Sequence, residues 1–176
     1  MTRLIGACLA IVLCAGCSSY AVPRYGVSVA NVTALKQAGG QKVAVGKFTA
    51  TDSRYEIGCR AVGPIKTPDQ RPFEAYIRKA LIDELQLAEL YAESGPITLT
   101  GTLDKVDFSS TGGKWSLGLT VTSSNGRSLS VTNDYDYETS FIAEKACALT
   151  AQAFGPAVQV LIGALVHNPE FAALLR

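Results

Sequence analysis

Histidine is almost missing from this chain: His167 is the only one in 176 residues. A serine or cysteine nucleophile would have that one imidazole as its base, and no G-x-S-x-G elbow is present to present a nucleophile. His167 lies beside a helix start near the C-terminus, so a surface or capping role is expected of it. A zinc site is short of ligands for the same reason. Charge is sparse too, at 18% of residues, and no basic cluster marks a nucleic-acid surface. No apolar run reaches the ~20 uninterrupted residues that a transmembrane helix needs.

Apolar material is what the chain has in quantity. Hydrophobic residues make up 48%, enough to bury the core of one domain and too many for intrinsic disorder. Much of it sits at the two ends, residues 4–14 and 154–166. The first end opens Met1-Thr2-Arg3 with one positive charge, runs apolar to Cys14, and leaves through the small residues Ala15 and Gly16. That order is the n-region, h-region and exit of a signal peptide covering residues 1–16.

Leu13-Cys14-Ala15-Gly16-Cys17 resembles the lipobox of bacterial lipoproteins, in which a leucine three residues before the lipidated cysteine is followed by small residues. Ala15, Gly16 and Cys17 match, while Cys14 stands at the usual leucine position and Leu13 one place earlier. The resemblance covers about the first eighteen residues. It implies cleavage after Gly16, diacylation of the Cys17 thiol and acylation of the new amino terminus. Several acyl chains anchor stably where one does not. Ser18, rather than aspartate, follows the cysteine, which resembles lipoproteins sorted to the outer membrane. Losing Arg3 with the leader leaves fifteen basic residues against fifteen acidic ones.

Five cysteines are present, and Cys8 and Cys14 leave with the leader while Cys17 takes the lipid. The remaining two, Cys59 and Cys147, are expected to pair in an oxidising periplasm; two unpaired buried thiols are the alternative. On the chain-entropy estimate a bridge of this span stabilises the fold by about 4 kcal/mol.

Residues 17–41 read as a lipidated tether holding one brief helix, capped by Asn31, running through Gln37 and ended by Gly39-Gly40. Residues 42–176 read as the domain. A strand over 42–49 precedes an irregular excursion over 50–71, rich in glycine and proline. Pro72 then opens an amphipathic helix with Phe73, Tyr76, Ile77, Ala80, Leu81, Leu85 and Ala88 on one stripe. Ile97, Leu99, Gly101 and Leu103 alternate at strand period, and Val106 and Phe108 continue in the opposite phase. A bulge near Asp104-Lys105 restores one buried face. In the next hairpin a two-residue Asn125-Gly126 loop would set apolar residues against polar ones. A three-residue loop, Ser124-Asn125-Gly126, pairs Val121 with Leu129, Leu119 with Val131 and Trp115 with Tyr135. From Phe141 the pattern returns to helix, with a kink or short break expected at Gly155-Pro156, and Asn168-Pro169-Glu170 starts a terminal helix to Leu175. The order β-α-β-β-β-α predicts a single α+β domain, an antiparallel sheet with helices packed on one face.

Asp134, Asp136 and Glu138 alternate along a strand and are read as a solvated row, since calcium needs 6 to 8 converging oxygens. Gly112-Gly113-Lys114 lacks the remaining P-loop residues and fits a hairpin turn. The helix over 154–166 is apolar nearly all round. Phe154, Val158, Leu161 and Ile162 are therefore either core, the reading favoured here, or a contact for a partner or a lipid. In element order the domain resembles small envelope lipoproteins, such as the auxiliary lipoproteins of ABC-type lipid transporters and the periplasmic domain of curli-secretion lipoproteins. No motif accompanies that likeness. The expectation is a non-enzymatic, outer-membrane-anchored module facing the periplasm that binds an envelope protein or lipid, without cofactor, metal or nucleic acid. A periplasmic hydrolase or cell-wall-modifying enzyme using two carboxylates, and a purely structural envelope protein, are the rivals.

Overall fold

The computed structural model describes residues 19–176, so the expectations for the leader and for Cys17 lie outside the described residues. The described residues fold as an α+β domain with two sheets and four helices. A first short strand, β1 (Tyr20–Ala21), leads to helix α1 (Val29–Ala38) and strand β2 (Val43–Ala50). A small hairpin follows, β3 (Glu56–Cys59) and β4 (Gly63–Lys66), then helix α2 (Phe73–Leu87). Three long strands come next, β5 (Ile97–Ser109), β6 (Lys114–Ser123) and β7 (Ser128–Asp136), before helices α3 (Ala143–Val166) and α4 (Phe171–Leu174).

The larger sheet has the order β2-β5-β6-β7. Three of its strands are antiparallel as expected, but β2 runs parallel to β5. The reason is α2: a helical crossover between neighbouring strands returns the chain in the direction it left. The second sheet, β1-β4-β3, arises inside the segments read as tether and as irregular excursion. Its strands were hidden because β3 and β4 are four residues each and carry Gly58, Gly63 and Pro64, residues that depress strand propensity.

The long hairpins follow the register read from the sequence. Val121 pairs with Leu129, Leu119 with Val131 and Trp115 with Tyr135, and Gly126 takes the positive φ of 89° that closes the three-residue loop. Between Leu103 and Lys105 the β5–β6 ladder slips by one residue at Asp104. Leu99 and Leu103 before the slip, and Val106 and Phe108 after it, thereby oppose Ser123, Leu119, Leu117 and Trp115 on one face.

Trp115 is the centre of the core that this face builds with α2 and α3. It is fully buried, with Phe154 and Phe108 ring centroids at 4.8 and 4.9 Å and Phe73 at 6.4 Å. Its indole Nε1 donates to the carbonyl of Thr150 at 2.9 Å, so the one polar atom of the ring is satisfied inside. The helix α3 does not break at Gly155-Pro156. Proline removes the bond to the carbonyl four residues back, and that carbonyl belongs to Gln152, on the exposed side of the helix.

Residues 19–41 are not a free tether. Tyr20 and Ala21 pair with Ile65 and Lys66 of β4, and Val22, Val32 and Leu35 are buried in the common core. Ser28, not Asn31, caps α1, accepting from the Asn31 amide at 3.4 Å. His167 ends α3, its ring Nδ1 2.9 Å from the carbonyl of Gly163. Glu170, not Asn168, is the N-cap of α4 and makes no side-chain cap bond; Asn168 Oδ1 instead accepts from the Glu170 amide at 2.9 Å in the turn before it.

Two outcomes follow. Phe48 lies across from Gly101, where an added Cβ would stand 2.6 Å from the phenyl ring. Gly101→Ala is therefore expected to cost about 1–3 kcal/mol by overpacking, read as a lowered thermal midpoint. Cys59 and Cys147 are joined in a disulfide across 88 residues, their Cα atoms 5.9 Å apart. Reduction should lower the free energy of urea unfolding by about 4 kcal/mol; a change below about 1 kcal/mol would mean that packing alone holds this end together.

Candidate functional site

The N-terminal segment is seated by a buried polar knot on α2. Glu84 is fully buried. Its Oε1 accepts from the Tyr25 hydroxyl, from the Ser28 amide at 3.3 Å and from Asn31 Nδ2 at 3.2 Å. Asn31 Nδ2 also donates to the carbonyl of Gln159 on α3 at 2.9 Å, and Gln159 Nε2 returns a bond to the carbonyl of Gly26 at 2.7 Å. Three donors from residues 25–31 thus converge on one carboxyl oxygen, while Oε2 is buried with no partner among the described residues. Burial pushes the Glu84 carboxyl up from the ordinary carboxylate range against the pull of these donors. Burial also raises the Tyr25 hydroxyl strongly, reinforced by the adjacent Glu84. The Tyr76 hydroxyl, which donates to the carbonyl of Pro23 at 3.0 Å, is pushed up to about 12 by burial. Both phenols stay protonated at neutral pH and act as donors that hold the strap.

Beside this knot, where the strap meets α2, lies a cleft of about 390 Å³. Arg24, Asp69, Arg71, Tyr76, Lys79 and Asp83 are among the residues that line it. Arg24 pairs with Asp69 at 3.3 Å and Lys79 with Asp83 at 2.5 Å. Arg78 donates to the carbonyls of Gly46 and Val45 at 2.5 and 2.7 Å, covering the edge of β2 beside its register shift. The exposed Arg71 guanidinium has no hydrogen-bond partner among the described residues. With four cations on two carboxylates, the cleft suits a polar group carrying negative charge.

The residues singled out from the sequence fall into three sets. Cys59 and Cys147 are brought together as a disulfide that fastens the β3–β4 hairpin to the first turns of α3. Phe154, Val158, Leu161 and Ile162 are each fully buried, which corrects the idea that they meet a partner or lipid: a helix apolar all round is enclosed by the rest of the fold. Asp134 and Asp136 stay on the exposed face of β7, with Lys114 at 3.5 and 3.6 Å, and Glu138 is exposed just past its end. Among the described residues, no group of three or more His, Cys, Asp or Glu side chains converges as a metal site.

Sequence reading missed Glu84, Asn31 and Tyr25. A signal was present for the first. Glu84 is four residues after Ala80 and seven after Ile77, so the helical stripe that buries those residues carries it inward too. Glu74, three before Ile77, is buried by the same rule, with Ser53 donating to its Oε1 and Oε2 unpartnered. Glu74 and Glu84 stand ten positions apart on one helix, ~15 Å along its axis. Paired carboxylates that cut glycosidic bonds stand about 5 to 9.5 Å apart.

No protein-family model, curated protein or solved structure matches the chain. Function is therefore argued from this geometry.

The Glu84 shift makes a definite claim about stability. A carboxyl with a folded pKa above its ordinary 4.5 binds more protons folded than unfolded. Stability must then fall as pH rises from the unfolded value through the folded one, and stay lower above it. In Glu84→Gln this dependence is removed. Urea unfolding between pH 4 and 8 should show the variant gaining on the wild type as pH rises; a constant difference would contradict the raised pKa.

Proposed function

We propose that this protein is an exported lipoprotein of the bacterial envelope, cut before Cys17 and held by acyl chains on the outer membrane with its domain facing the periplasm. The observation that carries the reading is the Cys59–Cys147 disulfide in a chain that opens with a signal peptide and lipobox. Such bonds persist in oxidising compartments and are rare in the cytosol. The domain acts as a non-enzymatic binding or assembly module for an envelope protein or lipid. Two features support this. The single imidazole, that of His167, is spent on a helix end, and the two buried glutamates are too far apart to share one reacting bond. With the apolar face of α3 enclosed, the contact for a partner moves to the cleft at Arg24, Arg71 and Lys79.

Intact mass of the protein taken from membranes tests the placement. Expected are loss of residues 1–16, added acyl chains, and two thiols that alkylate only after reduction. An uncleaved, unacylated chain with free thiols would overturn it. Crosslinking in the intact envelope tests the module: a partner should be captured through Lys79, and recovery of uncrosslinked monomer alone would count against a binding role.

A further inference from the structure

Strand direction places the membrane anchor relative to the fold. β1 runs parallel to β4, with Tyr20 beside Ile65 and Ala21 beside Lys66. Following the chain backwards from Tyr20 therefore leads toward the start of β4 at Gly63, and so to the turn of residues 60–62. Ser19 is the first described residue, and position 17 is two residues further, at most ~7 Å of chain.

The same turn holds a second feature. The Arg60 guanidinium donates to the carbonyls of Ser140 and Phe141 at 3.0 and 3.3 Å, and to the carbonyl and hydroxyl of Ser110 at 2.7 and 3.0 Å. These four bonds, with Arg60 held at φ 46°, fix the segment before α3 against the turn. The adjacent disulfide locks α3 to the same hairpin end. On this pinned segment Phe141 is fully exposed and Ile142 is 63% exposed, the one adjacent pair of large exposed hydrophobics among the described residues. Phe141 lines a cleft of about 390 Å³ together with Arg60, Thr111, Thr139 and Ser140. An aromatic and an aliphatic side chain on a rigid support, above a rim of hydroxyls, has the composition that sits at a bilayer interface. Strand spacing, two residues of strand and one arginine side chain put the anchor end and Phe141 within roughly 20 Å of each other.

We propose that Phe141 and Ile142 insert into the interfacial layer of the phospholipid bilayer that holds the acyl chains of Cys17, so that the domain stands on its β3–β4 turn instead of swinging from a tether. The inference rests on the lipid anchor proposed above and adds an orientation to it. The ordered strap leaves no slack for free rotation, and Arg24 and the charged cleft are carried along β1 away from the membrane end.

The test uses the full-length lipidated protein reconstituted into phosphatidylethanolamine–phosphatidylglycerol vesicles, with and without brominated acyl chains. Tryptophan is introduced by Phe141→Trp, and separately by Tyr55→Trp at the opposite end of β3, where the side chain is 62% exposed. Emission from the Phe141→Trp protein should be blue-shifted and lose most of its added intensity to the bromines, while the Tyr55→Trp protein and the buried Trp115 of the wild type do not respond. A Phe141→Trp protein that floats with the vesicles but emits as in water, unquenched, overturns the inference and leaves the anchor standing. A wild-type chain that carries no acyl mass and does not float overturns the anchor and the orientation with it.

Discussion

The helix α3 sets the constraint that the rest of the structure answers. Twenty-four residues long, it meets the length and composition of a membrane span, and in water all of it but the exposed stripe of Lys145, Gln152, Val160 and Ala164 needs a cover. Strands β6 and β7 cover one side, α2 packs beside them, and α1, β1 and β4 close the remainder. The segment expected to be a tether is therefore part of the enclosure. Val22, Val32 and Leu35 are buried because they stand where α3 would otherwise be wet.

Enclosing most of a helix brings backbone and polar side chains together in the interior, and the knot around Glu84 follows from it. Asn31 on α1, Glu84 on α2 and Gln159 on α3 meet where three helices converge, and each bond between them fixes the strap relative to both longer helices. A lone carboxylate in such a place carries a desolvation cost that its donors offset only in part. The arrangement favours position over stability: it holds residues 20–31 in one path, and so defines both the direction in which the chain leaves toward the lipobox and the wall of the cleft at Arg24.

The disulfide and the four bonds of Arg60 fall at the turn end of the small sheet, and β1 pairs with the other half of β4, at Ile65 and Lys66. These fastenings hold the small sheet and the start of α3 as one unit, with the charged cleft along its flank.

Several elements were legible in the sequence because their patterns are local. The bulge at Asp104, the three-residue loop closed by Gly126 and the stripe of α2 depend on residues within one or two turns of the chain, where phase and turn chemistry leave one solution. The pairing of Cys59 with Cys147 was an expectation by elimination, once the resemblance set Cys8, Cys14 and Cys17 aside. What only the tertiary structure decided was everything set by partners far apart. The parallel direction of β2, the pairing of β1 with β4 and the seating of Asn31 against Glu84 and Gln159 depend on neighbours 45 to 128 residues away. A hydrophobic period says which side of an element is buried, but not what covers it, and in this protein the cover of α3 decided where the N-terminal segment went.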